Sequence, residues 1–481
     1  AVEVVELSET ETNEEDSEEI VREESSVSRA VRYAMKRKSL KAILEKAAED
    51  AKGDEARLSL FDLLCIGIGC TIGSGVFVLT GEVLPKTGPA ATLSWILAGF
   101  ACVLSALSYM ELSARLPTKG SCYTFSYHSL GEVSAVIGSV CLTLEYGISG
   151  AGVARNWSRR MVTLLGDGAL DKYFFIPYSS LMGRSADQAT PSGDNYLDWL
   201  AGVMMALSVA VVAMGMNCGK VVINVFTVAK VLLVTFMVLL GLAHWNQNIF
   251  ESPEVFAPRG TAGLIDGTTL LFFGFVGFDE VCCLASRAKD PSKAMPRAIG
   301  GTLLGATLIS GGAQLALSGI ATPGLATEFG AEFTAMGMAW AGYVVTIGET
   351  ILLPLVVFLS FLTQPELTAA MAEDGILPSV FCFKDRRGTY IYGTLMTGVI
   401  MVLMAIIVPF SVLWDVISLG VLLSFTLTNA SLIQLRYRNG GELRDQRISS
   451  LTWGVMITSW IGCYLLWKGY AAFVLDPTTA A

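Results

Sequence analysis

The chain has 481 residues, 53% hydrophobic and 16% charged, with a mean hydropathy of +0.56. Soluble proteins carry roughly 25% charged residues, so the composition points to a polytopic membrane protein and away from a soluble enzyme. The formal net charge of −10 is local: residues 1–25 hold eleven acids and one base, Arg22, and no basic patch remains that would suit nucleic acid.

The sequence starts at Ala1 rather than a methionine, which reads as a processed or trimmed start, with no signal-peptide pattern there. Residues 1–25 have the composition of a disordered acidic tail. Residues 30–51 have helical spacing and a basic cluster, Lys36-Arg37-Lys38, which suits a cytosolic helix at the membrane surface or a merely solvated one. Eleven apolar segments follow, each near the ~20 residues that cross a bilayer. They are 60–82, 90–114, 131–162, 197–215, 221–243, 264–286, 299–321, 336–362, 391–408, 412–435 and 451–474. Arg287, Lys289, Lys293 and Arg297 fill the sixth-to-seventh loop. Lys384, Arg386 and Arg387 follow the eighth segment, and Arg436, Arg438, Arg444 and Arg447 follow the tenth. The intervening loops lack Lys and Arg, so the basic side and the N-terminus are expected in the cytosol.

The first segment contains GIGCTIGSGVFVLTG, Gly67 to Gly81, with five glycines. Each costs about 1 kcal/mol in a helix interior relative to alanine. Close helix packing through small residues is one explanation. The other is an unwound point, tolerated in a membrane only where protein or a wet cavity supplies hydrogen-bond partners. The sixth segment offers a second such place in LFFGFVGFDEV, where Gly274 and Gly277 precede Asp279 and Glu280. Five segments begin at each, the pattern of a five-plus-five inverted repeat with paired broken helices around a substrate site. The expected fold is therefore an all-α membrane bundle of about eleven helices, helices 1 and 6 broken. Its parts are a tail and juxtamembrane helix (1–58), a ten-helix core (59–436), and a final loop, helix and C-terminus (437–481).

The runs IGSGVFVLTG, GPAATLSW, YMELSARLPTKGSCYTFSY, LEYGISGAGVARNWS, FVGFDEV and AKDPSKAMPRAI occur in this order. Over about residues 40–436 the chain resembles the cationic amino acid transporters of the amino acid–polyamine–organocation superfamily. The resemblance implies a leucine-transporter-like fold and uptake of amino acids by alternating access.

N–H groups at Gly73-Ser74-Gly75, beside Ile72, would open a half-helix whose positive end suits an α-carboxylate, and the resemblance implies the same role. Carbonyls around Ile68, Phe273 and Val276, freed by unwinding, would accept from the α-ammonium. Glu145 and Asp279 are acids within apolar segments; they make the pocket negative for lysine, arginine or ornithine, or else bond a neighbouring helix. Lys230 lies about halfway along the fifth segment and must snorkel, pair or shed its proton. The resemblance places it where sodium sits in sodium-coupled relatives, implying sodium-independent transport with a proton as candidate coupling ion. Where the family has two glutamates before the AK(N/D)P turn, this chain has Ser286 and Arg287, and where it has QPR and MARDG, this chain has Glu366 and Glu373. A cytosolic gate of reversed polarity is expected, with Arg287 facing one of the two glutamates.

The ten cysteines and two histidines, His128 and His244, form no zinc-type pairs, so no metal or cofactor is expected. No nucleophile–base pair can be assembled, which argues against an enzyme. The expected partners are the bilayer and a small amino acid, in the plasma membrane or alternatively a vacuolar or organelle membrane. A nutrient sensor with little flux, or a carrier of neutral amino acids or polyamines, are the alternatives. Nothing in the sequence indicates an oligomeric state.

Overall fold

The computed structural model describes residues 37–50, 58–73, 75–166, 171–177, 196–215, 219–245, 252–321, 328–385, 388–437 and 442–475. The acidic tail (1–25), Ser74, Arg386 and Arg387 lie outside them. Among the described residues, nine helices are long and apolar enough to cross a membrane, and two shorter apolar helices, Trp199–Met214 and Ile391–Ile407, join them.

A short helix, α1 (Leu40–Asp50), precedes the first span. That span consists of α2 (Leu60–Thr71), a wide π turn (Gly75–Leu79) and α3 (Thr80–Thr87). Then come α4 (Ala91–Arg115), short α5 (Cys122–Ser129) and a third span built from α6 (Glu132–Thr143), a second π turn (Leu144–Ile148) and α7 (Ser149–Gly166). A two-stranded antiparallel ribbon, β1 (Phe175–Pro177) and β2 (Tyr196–Asp198), leads to α8 (Trp199–Met214) and α9 (Gly219–Ala243). The second half opens with α10 (Gly260–Phe272), a tight turn (Phe273–Phe275) and four-residue α11 (Glu280–Cys283). It continues with α12 (Pro291–Ile320), α13 (Phe329–Ala335), α14 (Ala339–Leu362), α15 (Gln364–Glu373), α16 (Ile391–Ile407) and α17 (Phe410–Tyr437). The eleventh span, α18 (Glu442–Leu475), packs on α17 and is otherwise largely exposed.

Helices of the first half pack on their counterparts in the second: α4 on α12, α7 on α14, α8 on α16, and the first π turn on the Phe273–Phe275 turn. This is the arrangement a five-plus-five inverted repeat requires. On α4 the buried face reads Trp95, Ala98, Cys102, Ala106 and Tyr109, at helical spacing, while Phe100, Leu104 and Leu107 point outward. Hydrocarbon is as apolar as leucine, so the outward face needs no polar residues and the inward face uses small ones for close approach. The capping box that starts α2 pairs Ser59 with Asp62, whose other oxygen takes the Asn224 amide of α9 at 2.7 Å.

At 16 and 17 residues, α8 and α16 reach only about 24–26 Å. They lie side by side, Gly202 against Ile406 and Gly398 against Val209. The end of α16 is fixed by Arg155 of α7, whose buried guanidinium donates to the carbonyls of Ala405, Ile406 and Val408, and to that of Tyr196. A cation at a helix C-terminus complements its dipole.

Candidate binding site at the paired breaks

The first span stops being helical where its glycines cluster. The Ile72 N–H donates to the Ile68 carbonyl at 2.9 Å, and the Thr71 hydroxyl to the Gly67 carbonyl at 2.9 Å. At the end of the helix, carbonyls lose their partners four residues ahead. The Gly69 carbonyl instead accepts from Lys230 Nζ at 2.8 Å, and one turn earlier the Cys65 carbonyl accepts from the Thr227 hydroxyl. Lys230 is wholly buried and hydrogen-bonded to a carbonyl, so of the three fates open to a lysine at that depth it does not snorkel. Beyond the break, the Phe77 N–H donates to the Gly73 carbonyl at 3.1 Å, which starts the π turn.

The sixth span breaks by a different route. The Val276 N–H closes a tight turn onto the Phe273 carbonyl at 2.9 Å, Val276 is extended (φ −58°, ψ 134°), and Gly277 has φ +118°, which L side chains rarely adopt. The carbonyls of Ile68 and Phe273, expected to be freed by unwinding, therefore each accept one backbone bond. The helical turns continue slightly further than the glycine pattern suggested, and the Ile68 carbonyl also accepts from the Thr71 hydroxyl at 3.3 Å.

The breaks meet backbone to backbone. A Cβ at Gly75 would stand 3.1 Å from the Gly274 carbonyl oxygen, and one at Gly277 would stand 2.5 Å from Cys70 Cβ. Gly73 faces Val356 of α14 just as closely, and Ile72, Phe273 and Val276 are buried around the junction. The Cys70 thiol donates to Glu280 Oε2 at 2.9 Å, joining the end of α2 to the start of α11.

Glu145 and Asp279 are both wholly buried and face each other. Asp279 accepts from the Tyr146 hydroxyl at 3.0 Å and from the Gly277 N–H, and Glu145 accepts from Ser424 of α17. Glu145 and Tyr146 belong to the second π turn, a local widening often found where helices serve a site.

At the end of the bundle where the basic loops gather, Arg287 pairs with Glu366. Glu373 takes Lys46 of α1 instead, at 2.5 Å, and neighbouring Asp374 takes Lys38 at 2.6 Å and the Tyr123 hydroxyl. Leu58 bridges the backbone of Arg287 and Lys289, so the stretch before α2 is bonded to the stretch after α11.

Sequence reading passed over Tyr146, Glu280, Arg160 and Glu349. Glu349 is a lone acid within the eighth apolar segment, the same signal that singled out Glu145. Glu280 stood beside Asp279 in the quoted motif, and Tyr146 beside Glu145. Arg160 lies near the end of the third apolar segment, a basic residue within a span as Lys230 is. Among the described residues, no cluster of three His, Cys, Asp or Glu could hold a metal ion.

A family model described as amino acid permease matches residues 58–479. The chain is 32% identical over 386 residues to the cationic amino acid transporter 3, mitochondrial, of Arabidopsis thaliana, covering 78% of this chain and 61% of that protein. It is 31% identical over 418 residues to the cationic amino acid transporter 4 of Mus musculus, covering 85% of this chain and 64% of that one. The methylthioribose transporter of Bacillus subtilis (strain 168) is 32% identical over 400 residues, 82% of this chain and 84% of that protein. The chain thus spans less than two thirds of the length of the two cationic amino acid transporters.

Proposed function

The chain belongs to the amino acid permease family, and on that premise we propose that it is a secondary carrier of amino acids, cationic ones foremost, working by alternating access without sodium. The observation that carries this reading is the meeting of the two breaks at counterpart positions in the two repeats, Gly75 against Gly274 and Gly277 against Cys70. Broken helices in a membrane place peptide dipoles where a zwitterion can use them.

In this reading the N–H groups of Gly73, Ser74 and Gly75 receive the α-carboxylate, with Ile72 beside them, and the carbonyls of Ile68, Phe273 and Val276 receive the α-ammonium. Glu145 and Asp279 supply negative charge that favours the side chains of arginine, lysine and ornithine. Lys230 on the Gly69 carbonyl supplies the positive charge at the end of α2, which makes a sodium ion there unnecessary and gives a coupling proton a place to act. The loops rich in Lys and Arg face the cytosol. Arg287 with Glu366 then forms the cytosolic gate, with Glu373 bound to Lys46 at its edge.

Uptake of radiolabelled arginine into proteoliposomes, with and without sodium, tests the proposal. Saturable uptake indifferent to sodium and inhibited by lysine and ornithine is expected. Saturable binding with no uptake would favour a sensor, and uptake blocked by neutral amino acids or polyamines but not by lysine would overturn the cationic preference. The plasma membrane is the proposed location, read by imaging a fluorescent fusion of the full chain.

A further inference from the structure

A second buried ion pair lies at the end of the bundle opposite the basic loops. Arg160 of α7 pairs with Glu349 of α14, the two side chains only 9% and 4% exposed. All three guanidinium nitrogens are used: Nη1 on Glu349 and, at 3.5 Å, on Glu328; Nη2 on the Phe77 carbonyl at 2.5 Å; Nε on Asn156 at 3.1 Å. Phe77 lies in the π turn that follows the first break. A single side chain therefore joins a helix of the first repeat, its counterpart in the second, and the wall of the candidate site.

A buried pair contributes little net stability, because desolvation of both ions offsets their attraction. Its value is in fixing position, and the position fixed here is that of the half-helix beyond Gly75. The arrangement also has a partner at the other end. Arg287, after the sixth break, is tied to Glu366, and Phe77, after the first, is tied through Arg160 to Glu349. Each broken span is thus held by one arginine, at opposite ends of the bundle.

We propose that Arg160 is the latch that closes the site on the side away from the basic loops, holding the half-helix after the first break against α7 and α14 and releasing it when an amino acid enters. The proposal rests on the carrier reading given above. Arg160 acts here through the Phe77 carbonyl and is a positioning residue. A closed latch hides the break, so Cys70, buried at its edge, reports opening.

The test uses the full chain in lipid nanodiscs, labelled with a charged, membrane-impermeant thiol reagent, with Cys70→Ser as background for the other cysteines. Arg160→Lys, which keeps the charge and loses the fork, and Glu349→Gln, which keeps the shape and loses the charge, are each expected to raise Cys70-specific labelling about tenfold. In proteoliposomes both variants should lower the half-saturation concentration for arginine, because the open state is already populated, and lower the maximal rate, because closure is slowed. A merely structural role would reduce the folded fraction and leave both constants unchanged in the protein that folds. Should Arg160→Lys fail to fold, Glu349→Gln decides alone. Unchanged Cys70 labelling in either folded variant overturns the latch. If the parent chain takes up no amino acid, the carrier reading fails, while the labelling result still reports on the latch.

Discussion

At the first break the carbonyl end of α2 receives an amino group from another helix, Lys230 of α9, whereas the sixth break turns through Gly277 and leaves on its own acids, Asp279 and Glu280. Cys70 stands between them, one residue after the carbonyl that holds Lys230 and bonded to Glu280. The two interruptions are therefore not copies, although they occupy equivalent places in the repeats. The first depends on a side chain delivered from outside the span, the second on a backbone conformation that only glycine adopts without strain. Unwinding in hydrocarbon requires partners for the exposed peptide groups, and the bundle supplies a basic side chain at one break and acidic ones at the other.

If the sixth break is set by its backbone, Gly277→Ala should be the most damaging change. The added Cβ meets Cys70 at 2.5 Å and the φ of +118° is strained for alanine. A loss of about 3 kcal/mol or more is expected, read as a collapse in folded yield on size exclusion. Glu366→Ala removes the carboxylate from the largely buried Arg287, so about 3 kcal/mol of stability should be lost and the transport rate should change clearly. If the first break depends on its borrowed amino group, Lys230→Met should fold but leave the Gly69 carbonyl unpaired, at about 1–3 kcal/mol. Arginine uptake should fall at least tenfold and lose its dependence on pH; unchanged uptake and pH profile would remove Lys230 from the mechanism. Gly75→Ala sharpens the contact between the breaks. Its Cβ would press on the Gly274 carbonyl at 3.1 Å, so about 1 kcal/mol of thermal stability should be lost along with most of the uptake. Lys46→Ala, removing a half-exposed partner of Glu373, should stay within about 0.5 kcal/mol in a thermal melt.

The eleven apolar segments were legible because bilayer thickness sets a length that composition reveals, and the breaks because the glycine-rich interruptions recur at the start of both halves. The bonds around Lys230 were not legible, since which carbonyl it meets depends on how α9 packs on α2. At the π turn of Leu144–Ile148, Glu145 reaches Ser424 and Tyr146 reaches Asp279, contacts made across helices that the local sequence does not show. Arg155 and Arg160 fall inside the third apolar segment with no partner evident in the sequence, and both turn inward, to the carbonyl end of α16 and to Glu349 and Phe77. Of the two glutamates offered to Arg287, the structure pairs Glu366 with it and gives Glu373 to Lys46 of α1, a contact between residues 327 positions apart that the sequence does not advertise.

The most direct measurement is a thermal-shift panel of all twenty amino acids on the purified full chain and on Gly75→Val, whose bulk would fill the place where the breaks meet. Arginine and lysine should raise the melting temperature of the parent in proportion to concentration and leave that of the folded variant unmoved. Equal shifts in both proteins, or none in the parent with any of the twenty, would mean that the paired breaks do not hold an amino acid.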